Sequence, residues 1–267
     1  MRWTSRLCLA VVAMAVPACA DDAPFLNTDP ASVIGKGEHA IQQWLSWAQG
    51  HTGESYNAFE SLTEFDYGLS KRVQLSLTLA YDWDRTRSPG DAAATSSVVG
   101  VQGEAIFIVA ATDKSPVGIA VAVDPAWNSS SRGIALRLLL TKYLGGFENV
   151  LNINFENAWD KNGVDGWTES GAVTVNYGLG YALDKHWTIA LEAGNQFAFS
   201  RLVSDVDFDH AGHTVFLGPT VEYDCSLAVF TVGLQAQLPV ASGGEVTRGY
   251  RDDAERWRAG FRITRAL

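Results

Sequence analysis

The groups able to do chemistry in this 267-residue chain are mostly carboxylates, and they keep an even spacing. Glu60, Glu64 and Asp66 share one phase of a two-residue alternation. Asp82, Glu104, Asp124, Glu156, Glu192 and Glu222 fall in the matching phase of later segments, with Arg137, Arg258 and Arg262 beside them. Neighbouring acids such as Glu64 and Asp66 can serve as acid and base on a bound substrate, yet nothing in the sequence marks a substrate pocket. Charges of both signs on one wall can instead line a water-filled passage, or fill it by pairing with each other. An acidic excess in such a passage draws cations and repels anions.

Nucleophilic catalysis needs a base within hydrogen-bond reach of a hydroxyl or thiol. No His here has a Ser two residues on, and the nearest approach is His213-Thr214. That argues against a lipid hydrolase. Asp207, Asp209, His210 and His213 could hold a metal from one segment, but no strand fixes them there, and a solvated loop tip is the plainer reading. Cys225 reads as a small residue at a strand end. The expectation is therefore no catalytic residue, no metal site, no cofactor and no enzymatic activity.

Groups on one wall need strands to hold them. From Val73 to Trp83, Val73, Leu75, Leu77, Leu79, Tyr81 and Trp83 alternate with Gln74, Ser76, Thr78, Ala80 and Asp82. A strand sends successive side chains to opposite faces, so one face is apolar and the other polar. The pattern recurs in about twelve segments. The first lies near His39–Ala48, with Trp44 and Trp47 toward its outer end, the second near Ala58–Leu69, and the last runs from Trp257 to Leu267. Short connections are expected at Ser70, Asp113, Gly145, Asp184 and Cys225. Longer ones are expected near Gly53, Pro89, Ser130, Gly163, Asp209 and Gly244. An even strand count, alternating short and long connections and an apolar outer phase are the requirements of an all-β, antiparallel transmembrane barrel. Trp44, Trp83, Trp127, Trp159, Trp187, Tyr67, Tyr181 and Tyr223 gather toward strand ends, as interfacial girdles would. Inward positions include Gly118, Ala120, Ala122, Gly178, Gly180 and Ala190, small residues that favour an open lumen. Tyr67–Val73 matches Tyr181–Trp187 in spacing, and shared turn chemistry explains the match.

The N-terminus carries Arg2 and Arg6, a short apolar run from Leu7 to Val16, and Ala18-Cys19-Ala20. This is the pattern of a cleaved secretory signal over residues 1–20. A periplasmic leader over residues 21–36 and a barrel over 37–267 complete the expected organisation. Cleavage would remove two of 20 basic residues and none of 30 acidic ones, leaving a net charge of −12. Nucleic acid is then excluded as a partner, because phosphate binding needs a basic surface. Cys8 and Cys19 would leave with the signal, so the mature chain has no internal disulfide. The expected location is the cell outer membrane, reached by Sec export. The expected partners are outer-membrane lipid, small solutes, and the periplasmic and membrane assembly machinery during biogenesis.

The residues Glu64-Phe65-Asp66-Tyr67-Gly68-Leu69-Ser70-Lys71-Arg72-Val73-Gln74-Leu75, Tyr177 to Trp187, and Gly218-Pro219 ahead of Glu222-Tyr223 carry a resemblance. The chain resembles outer-membrane β-barrels of Gram-negative bacteria, among them the family named for the meta-pathway of phenol degradation. The resemblance implies an outer-membrane barrel and small-molecule transport, and supplies no catalytic residues. The expected function is a channel or uptake pore for small solutes, preferring cations through an acidic lumen. A structural or surface-interaction barrel with a plugged lumen is the alternative.

Overall fold

The computed structural model describes residues 24–50, 55–87, 89–162, 166–199, 210–241, 248–249 and 255–267. The expected signal, residues 1–20, lies outside them, as do Asp207 and Asp209. Strands β1 (His39–Gln49), β2 (Ser55–Ser70), β3 (Val73–Arg87), β4 (Ala94–Ala110), β5 (Gly118–Asn128) and β6 (Ser131–Leu144) come first. Then come β7 (Phe147–Asn162), β8 (Gly166–Ala182), β9 (Trp187–Phe199), β10 (His210–Asp224) and β11 (Val229–Leu238). A two-residue ribbon, β12 (Val240–Ala241) with β13 (Arg248–Gly249), precedes the last strand, β14 (Trp257–Ala266). Twelve of these close into one antiparallel barrel, each paired with its sequence neighbours, and β1 meets β14 from Ala40↔Ala266 to Gln49↔Trp257. Closure leaves no free ladder edge, which a lipid environment requires because it offers no hydrogen bonds to backbone groups.

The alternation decides which face is which. On β3, Leu77 and Leu79 are 51% and 53% exposed while Ser76 and Thr78 in the opposite phase are 8% and 4% exposed. Leu136 on β6, Leu191 on β9 and Val232 on β11 are exposed in the same way. An exterior of bare leucine and valine is stable against acyl chains and costly against water.

Two local readings differ from the sequence expectation. Pro125 to Ser131 is not a long loop: β5 runs to Asn128 and β6 starts at Ser131. Asn128 Oδ1 accepts the N–H groups of Ser130 (2.8 Å) and Ser131 (2.6 Å), which closes the turn in two residues. Pro125, lacking an N–H, sits where the β4–β5 pairing skips from Ala105↔Val123 to Gln102↔Ala126. Trp44 belongs to the inner face, not the girdle, because it shares phase with Gln42 and lines the lumen cavity. The paired heptapeptides do share turn chemistry. Ser70 Oγ accepts the Arg72 N–H at 3.2 Å, and Asp184 Oδ1 accepts the N–H groups of His186 (2.7 Å) and Trp187 (2.9 Å).

The largest departure concerns the expected leader. From Pro24 onward it lies inside the barrel. Phe25 is fully buried, Thr28 is 1% exposed and Ala31 is 4% exposed. The reason it shows no sequence period is that it is not a strand: its main-chain groups bond to side chains of the wall.

Candidate functional site: the lumen and the segment within it

The segment from Pro24 to Gly35 crosses the inner wall strand by strand. Pro24 C=O accepts the Thr220 hydroxyl of β10 at 2.6 Å. Glu192 of β9 gathers the next three residues: it accepts Leu26 N–H (3.1 Å), Asn27 N–H (2.8 Å) and the Thr28 hydroxyl (3.0 Å). Asn176 of β8 donates to Asn27 C=O at 2.9 Å. Asn152 of β7 donates to Asp29 C=O (2.8 Å) and accepts its N–H (2.6 Å), the pairing a strand neighbour would make. Ala31 N–H reaches Thr141 of β6 at 2.7 Å, and Ile34 N–H reaches Gln74 of β3 at 3.1 Å. Gly37 N–H then bonds Gly68 C=O of β2 at 2.7 Å and hands the chain to β1. Buried main-chain polar groups must be paired, and here inward Asn, Gln, Thr and Glu side chains supply the partners.

Apolar sockets seat the side chains. Phe25 packs with Val150 and Ala190. Ala31 joins Ile106, Ile108, Ala120, Ala122 and Leu139, with Val33 against them. The small inward residues expected to leave open volume are thus largely spent on the segment. A Cβ on Gly180 would lie 2.9 Å from Pro24, and one on Gly118 would lie 3.4 Å from the Ala31 Cβ.

Beside the segment lies a cavity of about 650 Å³. Its wall holds Glu60, Glu64, Asp66, Asp82, Glu104, Asp124 and Glu156, with Arg137 and Arg262; Asp29 of the segment makes eight carboxylates against two guanidinium groups. Arg137 is the pivot. Its Nε donates to Asp124 at 2.6 Å, and its terminal nitrogens meet Glu104 of β4 and Asp29 of the segment. Asp66 accepts Ser76 (2.6 Å) and Gln42 (2.9 Å), Glu64 accepts Thr78 (2.8 Å), and Glu60 accepts Ser46 (3.0 Å). Arg262 places its guanidinium 4.9 Å from the Trp44 ring. A second space of about 230 Å³, against Asn27 and Thr28 of the segment, is lined by Glu156, Glu192 and Arg258, among others. Arg258 lies 3.7 Å from the Phe216 ring and meets Glu255. Glu222 is buried on the inner face between the registers of Thr188 and Thr231.

One candidate pair from the sequence falls apart on geometry, whereas the possible metal cluster includes Asp207 and Asp209, which lie outside the described residues. His213 and Thr214 are adjacent, so alternation turns them to opposite faces. His213 stacks on Phe197 at 4.7 Å with Nε2 2.5 Å from Asn195 Oδ1, while Thr214 is buried inward. Among the described residues, no group of three His, Cys, Asp or Glu is arranged to hold a metal ion. Sequence reasoning missed Thr141, Asn152, Asn176 and Thr220 as holders of the segment. Alternation puts each on the inner phase, but beside other polar residues such as Arg137, Asn154, Thr174 and Glu222, so no sequence signal set them apart.

A family model described as a family of unknown function (DUF6662) matches residues 17–135. It is not the model of the phenol meta-pathway family. No curated protein matches the chain. Among solved structures, the chain is similar to an outer-membrane channel from Pseudomonas putida F1, at 12% identity and a TM-score of 0.67. That likeness covers 90% of this chain and all of the other. It is also similar to the translocator domain of the autotransporter NalP from Neisseria meningitidis (9% identity, TM-score 0.54, 88% and 89% covered). LpxR from Salmonella typhimurium gives 10% identity and a TM-score of 0.52, with 85% and 99% covered. The fold is that of an outer-membrane β-barrel.

Proposed function

We propose that this protein is a passive channel of the outer membrane for small solutes, cation-preferring, and closed at its short-turn end by its own segment Pro24–Gly35. The observation that carries the reading is the acidic cavity abutting that segment. The wall is closed by strand ladders, but the segment is held only by side-chain bonds, a few ion contacts and two apolar sockets. Such a contact set can let go without opening the barrel. Export by the Sec route and the absence of catalysis belong to the same proposal. The opposed faces of His213 and Thr214 support a non-enzymatic role, since a base must reach its nucleophile.

The test is a reversible lock. In a Cys225→Ser background, Ala31→Cys with Gly118→Cys brings two Cβ atoms to 3.4 Å once the Thr112 methyl turns aside, close to the ~3.8 Å that disulfides keep. Planar-bilayer conductance should be low when this pair is oxidised and rise on reduction. No steps above background in either state would remove the pore. Equal, open conductance in both would remove the segment as its closure.

A further inference from the structure

The exterior at the long-loop end separates charge by face. On β3 the outward phase runs Leu79, Tyr81, Trp83, Arg85, Arg87, so two exposed arginines stand beyond the last ring while Asp82 and Asp84 take the inward phase. On β7, Trp159 is followed in the same outward phase by Lys161. Between them on β6, Arg132 faces outward in register with Trp127 of β5 and Trp159. Its guanidinium lies 5.8 Å from the Trp159 ring and 4.6 Å from the Trp167 ring. Among the described residues, none of these four cations forms an ion pair. Among the described strand residues of this region, the outward acid is Glu169, opposite Trp159. In a chain of net charge −10, four unpaired cations on one outer rim need a reason.

We propose that this rim, over β3 to β7, binds the phosphate groups of the outer leaflet's phosphorylated glycolipid. Tryptophan belts mark the headgroup level of a membrane, so a cation one or two outward positions beyond a belt ring stands among headgroups. Guanidinium is the group whose fork matches phosphate oxygens, and the rings of Trp159 and Trp167 pre-order Arg132 for it. Arg85 and Arg87 on one side and Lys161 on the other give the lipid more than one anchoring point. The inference rests on the barrel sitting in an outer membrane, and not on its lumen opening.

Native mass spectrometry of the full barrel with purified lipopolysaccharide tests it, comparing the wild type with Arg85→Gln/Arg87→Gln/Arg132→Gln. Heat-dependent gel mobility reports whether each variant is folded. Retained lipid should fall roughly tenfold in a folded triple variant. The wild type should also lose it with dephosphorylated lipid A, a comparison that needs no variant to fold. Unchanged retention in the folded triple variant, or equal binding of the dephosphorylated lipid, overturns the proposal. Full displacement by inorganic phosphate would make this a free-anion site and overturn it as a lipid site.

Discussion

A Cβ built on Gly178 would lie 2.6 Å from Cε1 of Phe25, inside the closest approach of two carbon atoms. The missing side chain of one residue is therefore the seat of the other. Gly178 stands on the inner phase of β8, and its neighbour Gly180 makes the same room for Pro24. Two glycines in a strand interior weaken it, and here that loss is offset by burying the Phe25 ring completely.

Gly178→Val should expel Phe25 without touching the ladder. Overpacking of this kind costs about 1–3 kcal/mol, which shifts the docked-to-released ratio roughly five- to a hundredfold. The expected readout is a larger open fraction in planar bilayers with an unchanged folded yield. Gly145→Val, at a turn with no neighbour in reach, is a poor control because its φ is +58°. Ala80→Val, on the inner wall away from Phe25, is the better one.

Glu192 is the polar counterpart of that socket. It accepts from three consecutive residues of the segment. A hydrogen bond to a charged acceptor is worth about 1.5–3 kcal/mol, so Glu192→Gln should release Leu26–Thr28 at a cost of about 2 kcal/mol or more. Thiol labelling at Ala31→Cys, in a Cys225→Ser background, should then speed up roughly tenfold or more. Glu60→Gln removes a carboxylate that bonds Ser46 and not the segment, and should leave the labelling rate where it was.

Cation preference should weaken when the wall loses charge. Glu64→Gln and Glu104→Gln each remove one of eight carboxylates around the larger cavity. Glu104→Gln also leaves Arg137 with fewer carboxylates to answer it. The reversal potential under a salt gradient should move toward zero in each variant and further in the pair. Measured near 0.1 M salt, where the screening length is about 10 Å, the change should be clear; near 1 M, at about 3 Å, it should shrink. An unchanged potential at low salt would mean that the acids do not face the permeating ion.

The barrel was legible because its cause is periodic. Leu75, Leu77 and Leu79 must all meet lipid, and Gln74, Ser76 and Thr78 must not, so a single two-residue rhythm carries both facts. The inward placement of Glu64, Glu104 and Arg137 follows from the same rhythm. The segment was not legible, because Leu26, Asn27 and Ala31 are held through main-chain N–H groups, which every residue has and no side-chain pattern records. Trp44 misled for a related reason: a tryptophan looks the same in sequence whether it sits in a girdle or under Arg262. Pro125 and Asn128 carry loop-forming chemistry, but here one sits at a gap in a ladder and the other caps a two-residue turn.

The last prediction concerns a turn outside the membrane. Asp184 Oδ1 accepts the N–H groups of His186 and Trp187, and those two bonds hold its carboxyl below the usual carboxylate range. A depressed folded value means the native state binds its proton less readily than the unfolded chain does. The stabilisation is therefore fully present above the ordinary Asp range and is lost as pH falls through the folded value. Asp184→Ala should lower the thermal midpoint of the folded barrel at neutral pH, read by heat-dependent gel mobility. The gap between variant and wild type should close in strong acid, where the wild-type carboxyl is itself protonated. Asp184→Asn keeps an acceptor oxygen in the same place, so it should retain most of the wild-type midpoint at neutral pH and lose the pH dependence. A gap that persisted unchanged into strong acid would assign the effect to packing of the β8–β9 turn rather than to these two bonds.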